Sequence, residues 1–334
     1  MKILVVKLSS LGDVCHALPA VELIKNETGA EAHWAVQPEF AELVRSFSCV
    51  SKVIEVPRPS KFSGWLKALR ELRGERYDAV ADLQGLLKSA VVAGLSKSGK
   101  RYGPAYSREG AKLFYDATPP KTGRKHAVEE CLDVAELAVN YSTPPFGHPP
   151  FGENSHFGAS TKIPPKGGVP EGRGGLRIAI APRSRWDSKN WPAKHFDKLI
   201  QLLGEKGVEI CLVGGKDDDA ELTIPNFQFP ILNFCGKCTL AQSAELIKSC
   251  DCLVTNDSGP MHIAAALGVR CVALFGPTDA ARTGPYGAGH TVLRGGSCEL
   301  APCYKRVCPK GTKECLAAIT PETMFDSVSN PGVL

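Results

Sequence analysis

The sequence predicts an α/β chain built from two Rossmann-like domains that face a central cleft. Three observations predict it. Short apolar runs alternate with helical patterns in both halves, a Pro/Gly-rich stretch separates the halves, and each half holds a glycine-bearing turn between a strand and a helix. Strand and helix in regular alternation imply mainly parallel sheets covered by helices.

In the first half, Ile3–Val6 reads as a buried strand and Val14–Lys25 as a helix. His33–Val36 and Val53–Val56 read as strands, Ala79–Asp82 as another with a helix from about Leu86, and His126–Asn140 as a helix. Between them, Arg58–Tyr77 is basic and amphipathic. Phe62, Trp65, Leu66, Leu69 and Leu72 recur at helical spacing, with Lys61, Lys67, Arg70, Arg73 and Arg76 around them. An ordinary helix packed on the sheet has this pattern, and so has a cationic rim for a phosphorylated or membrane-bound substrate.

Ser142–Gly175 carries Pro144-Pro145, Pro149-Pro150, Pro164-Pro165 and Gly167-Gly168 with few periodic apolar residues, and reads as the interdomain connection. Beyond it, Ile178–Ala181, Ile210–Val213, Cys252–Thr255 and Val272–Phe275 read as strands. Pro192–Glu205, Thr239–Ser249 and Pro260–Leu267 read as helices, with Pro192 in a first turn and Thr239 as an N-cap. The expected division is 1–160, a linker at 161–175, and 176–317.

A chain of 334 residues accommodates two domains, and 43% hydrophobic with 22% charged residues is ordinary for a globular protein. The net charge of +5 fits anionic small substrates or an anionic membrane surface rather than bulk nucleic-acid binding. The apolar core of the first strand is too short for a signal peptide, and no run approaches the roughly 18 apolar residues of a membrane helix. The expected location is the cytoplasm.

Three turns carry chemistry. In Thr255-Asn256-Asp257-Ser258-Gly259-Pro260-Met261-His262, free N–H groups at a helix start suit phosphate oxygens. Asp257 would repel phosphate, so it should point to a sugar hydroxyl or back into the loop, and His262 sits one turn in. Simple helix capping by Asp257 or Ser258 explains the same residues. Arg183-Ser184-Arg185-Trp186-Asp187-Ser188-Lys189 crowds cations into a strand-to-helix loop, which suits a departing diphosphate or merely a solvated basic loop. In Lys7-Leu8-Ser9-Ser10-Leu11-Gly12-Asp13, Asp13 is either an N-cap, worth about 1 kcal/mol, or a carboxylate that removes a proton from an attacking hydroxyl. The helix terminus favours its ionised form and weakens it as a base.

Thirteen cysteines are present. Cys15, Cys131, Cys211, Cys250 and Cys271 lie in apolar contexts, as buried thiols of a reducing compartment do. Cys298, Cys303, Cys308 and Cys315 fall within 18 residues at x4, x4, x6 spacing. They could hold a structural zinc or iron, form disulfides or stay free.

Taken together, these blocks resemble glycosyltransferase family 9, the ADP-heptose:lipopolysaccharide heptosyltransferases. Lys7-x-Ser9-Ser10-x-Gly12-Asp13-Val14-x-His16-x-Leu18-Pro19-Ala20, Tyr77-Asp78-Ala79-Val80, and Asp82-x-Gln84-Gly85-Leu86-x-Lys88-Ser89-Ala90 come first. His126-Ala127-Val128-Glu129, Lys189-x-Trp191-Pro192, Asp257-x-Gly259-x-x-His262 and Phe275-Gly276-Pro277-Thr278-Asp279 follow in family order. The Ser9-Ser10 form is more like the heptosyltransferase I type than the II type.

The resemblance implies the two-domain GT-B fold, with acceptor bound by the N-terminal domain and donor by the C-terminal one. A C-terminal helix near 318–330 is expected to pack back on the first domain. It implies inverting transfer of L-glycero-D-manno-heptose from ADP-heptose to Kdo on a lipid A-linked acceptor, with no cofactor required for catalysis. Asp13 is the implied base, with Lys189 as its catalytic partner on the donor side. Ser184, Arg185, Lys189, Asp257, Ser258, Gly259 and His262 are implied for the donor. Ser10, Gly12, Gln84, Lys88, Ser89, His126 and Glu129 are implied for the acceptor. The implied partners are ADP-heptose, Kdo-lipid A and, transiently, the cytoplasmic face of the inner membrane, with no nucleic acid. Glu130 departs from the family's usual Arg, and Ser184-Arg185 from its two small hydroxyl residues. Alternatives are heptosyltransferase II, another family 9 donor, or a binding protein on the same fold. A nicotinamide-dependent oxidoreductase is a rival of another class, but G-x-G-x-x-G does not follow Ile3–Val6.

Overall fold

A computed structural model describes residues 1–58, 62–123, 125–142, 175–223, 228–296 and 298–329. Of the expected connection 161–175, all but Gly175 falls outside the described residues. The chain divides into two compact units, Met1–Lys162 and Ile163–Leu334.

In the first unit, β1 (Lys2–Val6), β2 (Glu31–Val36), β3 (Val50–Glu55), β4 (Arg76–Asp82) and β5 (Lys97–Tyr102) form one sheet in the order β3-β2-β1-β4-β5. Every pairing is parallel. The connecting helices are α1 (Leu11–Thr28), α2 (Pro38–Arg45), α3 (Phe62–Gly74), α4 (Leu87–Leu95) and α5 (Ala127–Ser142). α1 stops where Gly29 takes φ 64° and its N–H returns to the Lys25 carbonyl, a left-handed cap that suits glycine. The central strands are apolar on both faces, as parallel strands between helix layers must be. Leu4, Val6, Ile54, Val80, Ala68, Leu72 and Val92 share one buried cluster.

Within Arg58–Tyr77 the helix ends at Gly74 and β4 begins at Arg76. Ala68 and Leu72 are buried with Trp65 against them, while Lys67, Arg70 and Arg73 are exposed. Lys61 and the Phe62 side chain lie outside the described residues.

The second unit repeats the plan. Its strands are β6 (Arg177–Ala181), β7 (Glu209–Leu212), β8 (Ile231–Asn233), β9 (Cys252–Asn256), β10 (Arg270–Leu274) and β11 (Thr291–Leu293). They run in the order β11-β10-β9-β6-β7-β8, all parallel. The helices are α6 (Ala193–Glu205), α7 (Leu240–Lys248), α8 (Gly259–Ala266), α9 (Ala280–Thr283), α10 (Glu314–Ala317) and α11 (Pro321–Ser329).

The C-terminal helix, expected to reach the first domain, packs on α6 and β10 of its own unit. Met324 and Val328 join Ile178, Phe196 and Val272 in the core, and the Trp191 indole N–H donates to the Ile319 carbonyl at 3.0 Å. An amphipathic nine-residue helix has one apolar face, and here that face completes this core. Among the described residues, no helix is long and apolar enough to cross a membrane.

Candidate functional site

Each sheet reverses its strand order beside its first strand. In the first unit the reversal lies between β1 and β4, and in the second between β6 and β9. At such a point the adjacent connections leave in opposite directions, and ligands bind outside the strands' carboxyl ends. The loops after β1 and β4 therefore form one candidate site and those after β6 and β9 another. All three turns singled out in the sequence fall on these loops.

In the first unit, Ser10 caps α1 and donates to Asp13 Oδ2 from both its N–H and its Oγ, each at 2.8 Å. Asp13 thus has the capping geometry, yet it stays half-buried at the mouth of the loop, with Gly12 beside it in the first turn. Gln84 fastens the loop from below. Its Oε1 accepts from the Leu8 N–H at 2.8 Å and its Nε2 donates to the Ser9 carbonyl at 2.6 Å. Lys88 Nζ donates to Ser9 Oγ at 3.1 Å.

Two residues expected on the acceptor are held by local structure. Ser89 is fully buried, with its Oγ exchanging hydrogen bonds with the Leu86 N–H and carbonyl at the start of α4. A hydroxyl enclosed there has no surface to offer an acceptor, which corrects the expectation. Gln84 spends both ends of its amide on main chain, so its evident task is to shape the loop.

His126 and Glu129 cap α5. Glu129 Oε2 accepts from the His126 N–H at 3.1 Å, and His126 Nδ1 from the Val128 N–H at 3.1 Å. The His126 ring meets the His16 ring edge-on at 5.6 Å, which brings the N-terminal turns of α5 and α1 together.

Two further charges, Asp82 and Lys7, are buried here. Asp82 ends β4 and accepts from the Gln84 and Gly85 N–H groups and, at 2.7 Å, from the Tyr115 hydroxyl. Burial raises its carboxyl above the usual range against those bonds. Lys7 directly follows β1 and donates to the Leu83 carbonyl at 2.6 Å. Burial alone would lower its ammonium, but the Cys131, Asp13, Asp82 and Glu130 charges outweigh burial and hold it above its ordinary value. A lone lysine directly after four apolar strand residues was the available signal.

In the second unit the two loops are tied together. Asn256, buried at the end of β9, accepts from the Trp191 N–H at 3.0 Å and donates to the Pro182 carbonyl at 2.8 Å. Ser184 takes the Asn190 side-chain oxygen on its N–H at 2.6 Å and donates from Oγ to the Asp257 carbonyl at 3.1 Å. Lys189 Nζ lies 2.5 Å from Asp257 Oδ2, with side chains 15% and 5% exposed. Thr278 Oγ1 donates to the same oxygen at 2.6 Å. The Asp257 carboxylate is therefore turned to Lys189 and Thr278, on the loops after β6 and β10.

The Lys189 ammonium also sits 4.7 Å from the centre of the Trp186 ring. Ser258 caps α8, and Gly259 and Pro260 open it. The N–H groups of that turn face the site and Pro260 has none to lose. His262 is half-buried within the first turn of α8, and Arg185 is exposed at the rim. Thr278 lies in the Phe275-Gly276-Pro277-Thr278-Asp279 block, whose spacing alone assigns it no role. Its place after β10, whose neighbour is β9, brings it to Asp257.

The tail cysteines are free thiols that line one small pocket with Ser188, Pro277 and Lys313. Among the described residues no group of three or more His, Cys, Asp or Glu is arranged to hold a metal ion, so of the three readings of these cysteines the structural zinc or iron is not supported. Cys315 and Cys298 pack on the apolar core of the unit. Cys315 presses so closely on Gly276 that a β-carbon there would come within 2.7 Å of its sulfur. Burial first, then the neighbouring Cys298, Cys308 and Cys303, push the Cys315 thiol up.

Residues 65–314 match the family model described as glycosyltransferase family 9 (heptosyltransferase). Lipopolysaccharide heptosyltransferase 1 of Escherichia coli K12 is 31% identical over 88% of this chain and 93% of that relative. The enzyme of the same name from Pseudomonas aeruginosa is 30% identical over 92% of this chain and 87% of that relative. The solved structure of E. coli heptosyltransferase WaaC with ADP superposes with a TM-score of 0.78 at 26% identity, covering 99% of this chain and 100% of that one.

Proposed function

Because the chain belongs to glycosyltransferase family 9, the heptosyltransferases, we propose that it moves L-glycero-D-manno-heptose from ADP-heptose to a Kdo hydroxyl of the lipopolysaccharide inner core, on a lipid A-linked acceptor. The fold is GT-B, two parallel-sheet α/β domains, as in the heptosyltransferase structures. Relatives named heptosyltransferase 1, at 30–31% identity, favour the first transfer onto Kdo over the second. The observation that carries the reading is the convergence of Lys189, Ser184 and the first turn of α8 at the switch point of the second unit, while a half-buried Asp13 stands at that of the first.

In this reading the second unit holds the donor. Lys189, Arg185, the Ser258 hydroxyl and the N–H groups of α8 bind the diphosphate, with Gly259 allowing close approach and His262 one turn in. The first unit holds the acceptor among Ser10, Gly12, Lys88, His126 and Glu129. Asp13 takes the proton of the acceptor hydroxyl, and its oxygen attacks the anomeric carbon from the face opposite ADP. The bond from that carbon to the β-phosphate oxygen breaks, and its electron pair leaves with ADP. The configuration inverts through an oxocarbenium-like transition state, and the cations stabilise charge growing on the leaving group. The enzyme works in the cytoplasm, and the exposed Lys67, Arg70 and Arg73 of α3 give it transient contact with an anionic membrane surface.

Incubation with ADP-heptose and Kdo-lipid A, read by product mass, tests the reaction. A product only when the acceptor already carries one heptose would assign the second transfer instead. Asp13→Ala should lower kcat about 100-fold or more, the scale of a lost general base, with ADP binding nearly intact. Near-wild-type turnover would remove Asp13 from the mechanism.

A further inference from the structure

The cysteine-rich tail is joined to the Lys189 loop along its length. The Ser188 N–H donates to the Arg306 carbonyl at 3.1 Å and Ser188 Oγ to the Lys305 carbonyl at 2.5 Å. The Tyr304 N–H donates to the Pro277 carbonyl at 2.8 Å, beside Thr278. Further along, Lys313 Nζ lies 2.7 Å from Asp187 Oδ1. Ser188 is buried, so these bonds anchor the tail to the turn that carries Lys189.

The tail thereby brings a further cation to the site. The Arg306 guanidinium carbon lies 5.8 Å from the centre of the Trp186 ring, the same ring that Lys189 addresses at 4.7 Å. The two cations differ in how their charge is matched. Lys189 is paired with buried Asp257, so together they bring almost no net charge. Arg306 is exposed, and among the described residues no carboxylate is paired with it. A diphosphate needs net positive charge as well as N–H donors, and a planar guanidinium can give two parallel donors to phosphate oxygens.

We propose that Arg306, carried by the cysteine-rich tail, is a binding residue for the diphosphate of a nucleoside diphosphate held beside Lys189. The proposal rests on the donor-site reading above. Lys189 and Asp257 set the geometry at the floor, and Arg306 supplies charge that this pair lacks. The tail then serves the site as the mount of a cation.

Calorimetric titration of the full chain with ADP, AMP and adenosine tests this. Arg306→Gln should weaken ADP binding about tenfold, the scale of one charge-assisted hydrogen bond, with adenosine binding unchanged and AMP between. Arg306→Lys should recover part of the loss. Should wild-type protein bind ADP while Arg306→Gln binds it within about twofold of wild type, the proposal is overturned. It is also overturned if ADP and adenosine weaken equally, since the tail would then act only as scaffold. Wild-type protein that binds no ADP would overturn the donor-site reading itself.

Discussion

Thr278 shows how one hydroxyl can set the state of a charged pair. Its bond to Asp257 Oδ2 occupies the oxygen that Lys189 also uses, so the carboxylate has little freedom to rotate. Thr278→Val keeps the shape and deletes that donor. Removing one partner of a buried polar group costs about 1–3 kcal/mol, and here the cost should fall on the site. We expect kcat/KM for transfer to drop about tenfold or more on that scale, with Thr278→Ser restoring most of it. An unchanged kcat/KM in the valine variant would deny Thr278 a positioning role. At this scale the sequence was legible where chemistry dictated residue type. Lys189, Ser184 and Asp257 meet as their loop placement suggested. The buried partners Asn256 and Asp82 were illegible because their role depends on strand order, which no local pattern encodes.

Elements show the same division. The central strands and their helices were readable because buried parallel strands are continuous apolar runs. Of the four edge strands only β3 was, and β5, β8 and β11 were not. β5 is Lys-Ser-Gly-Lys-Arg-Tyr, and β8 and β11 have three residues each. An edge strand is paired on one side only, so charge and shortness protect it and also hide it. The first sheet carries a charge cluster with a measurable signature. Glu75, just before β4, meets Lys2 of β1 at 2.6 Å and Lys52 of β3 at 3.2 Å. Hydrogen bonds from Lys2, then Lys52, hold its carboxyl at about 2, against an ordinary 4.5. A carboxyl depressed in the folded state stabilises fully above the unfolded value and loses that contribution as pH falls through the folded one. The wild-type unfolding midpoint should therefore fall more steeply than that of Glu75→Gln between pH 4.5 and about 2. Parallel curves through that window would show that the cluster contributes nothing. High salt should shrink the difference, since these are surface pairs.

At the scale of the molecule, the two sheets are built on the same rule, with one reversal of strand order each. The family model covers 65–314, so it begins inside α3 and does not include the loop of Asp13. The pattern of that loop stands in its own residues, Lys7 to Asp13. The choice among metal, disulfides and free thiols for the tail cysteines was not legible either, because spacing along the chain cannot show that Cys298 and Cys315 pack in a hydrophobic core. The late position of α11 has a consequence for biosynthesis. A ribosome delivers residues in order, and domains tend to fold as they emerge. The first unit has its whole sheet in hand long before Met324 and Val328 leave the exit tunnel, whereas the second must wait for them to seal its interior. Nascent chains arrested with residues through 317 exposed should give a protease-resistant N-terminal fragment and a digested C-terminal half. Equal protection of both halves would mean that the last helix is dispensable for closure. A translation fault or nick near residue 318 should thus leave half a molecule intact and the other half open to quality-control proteases.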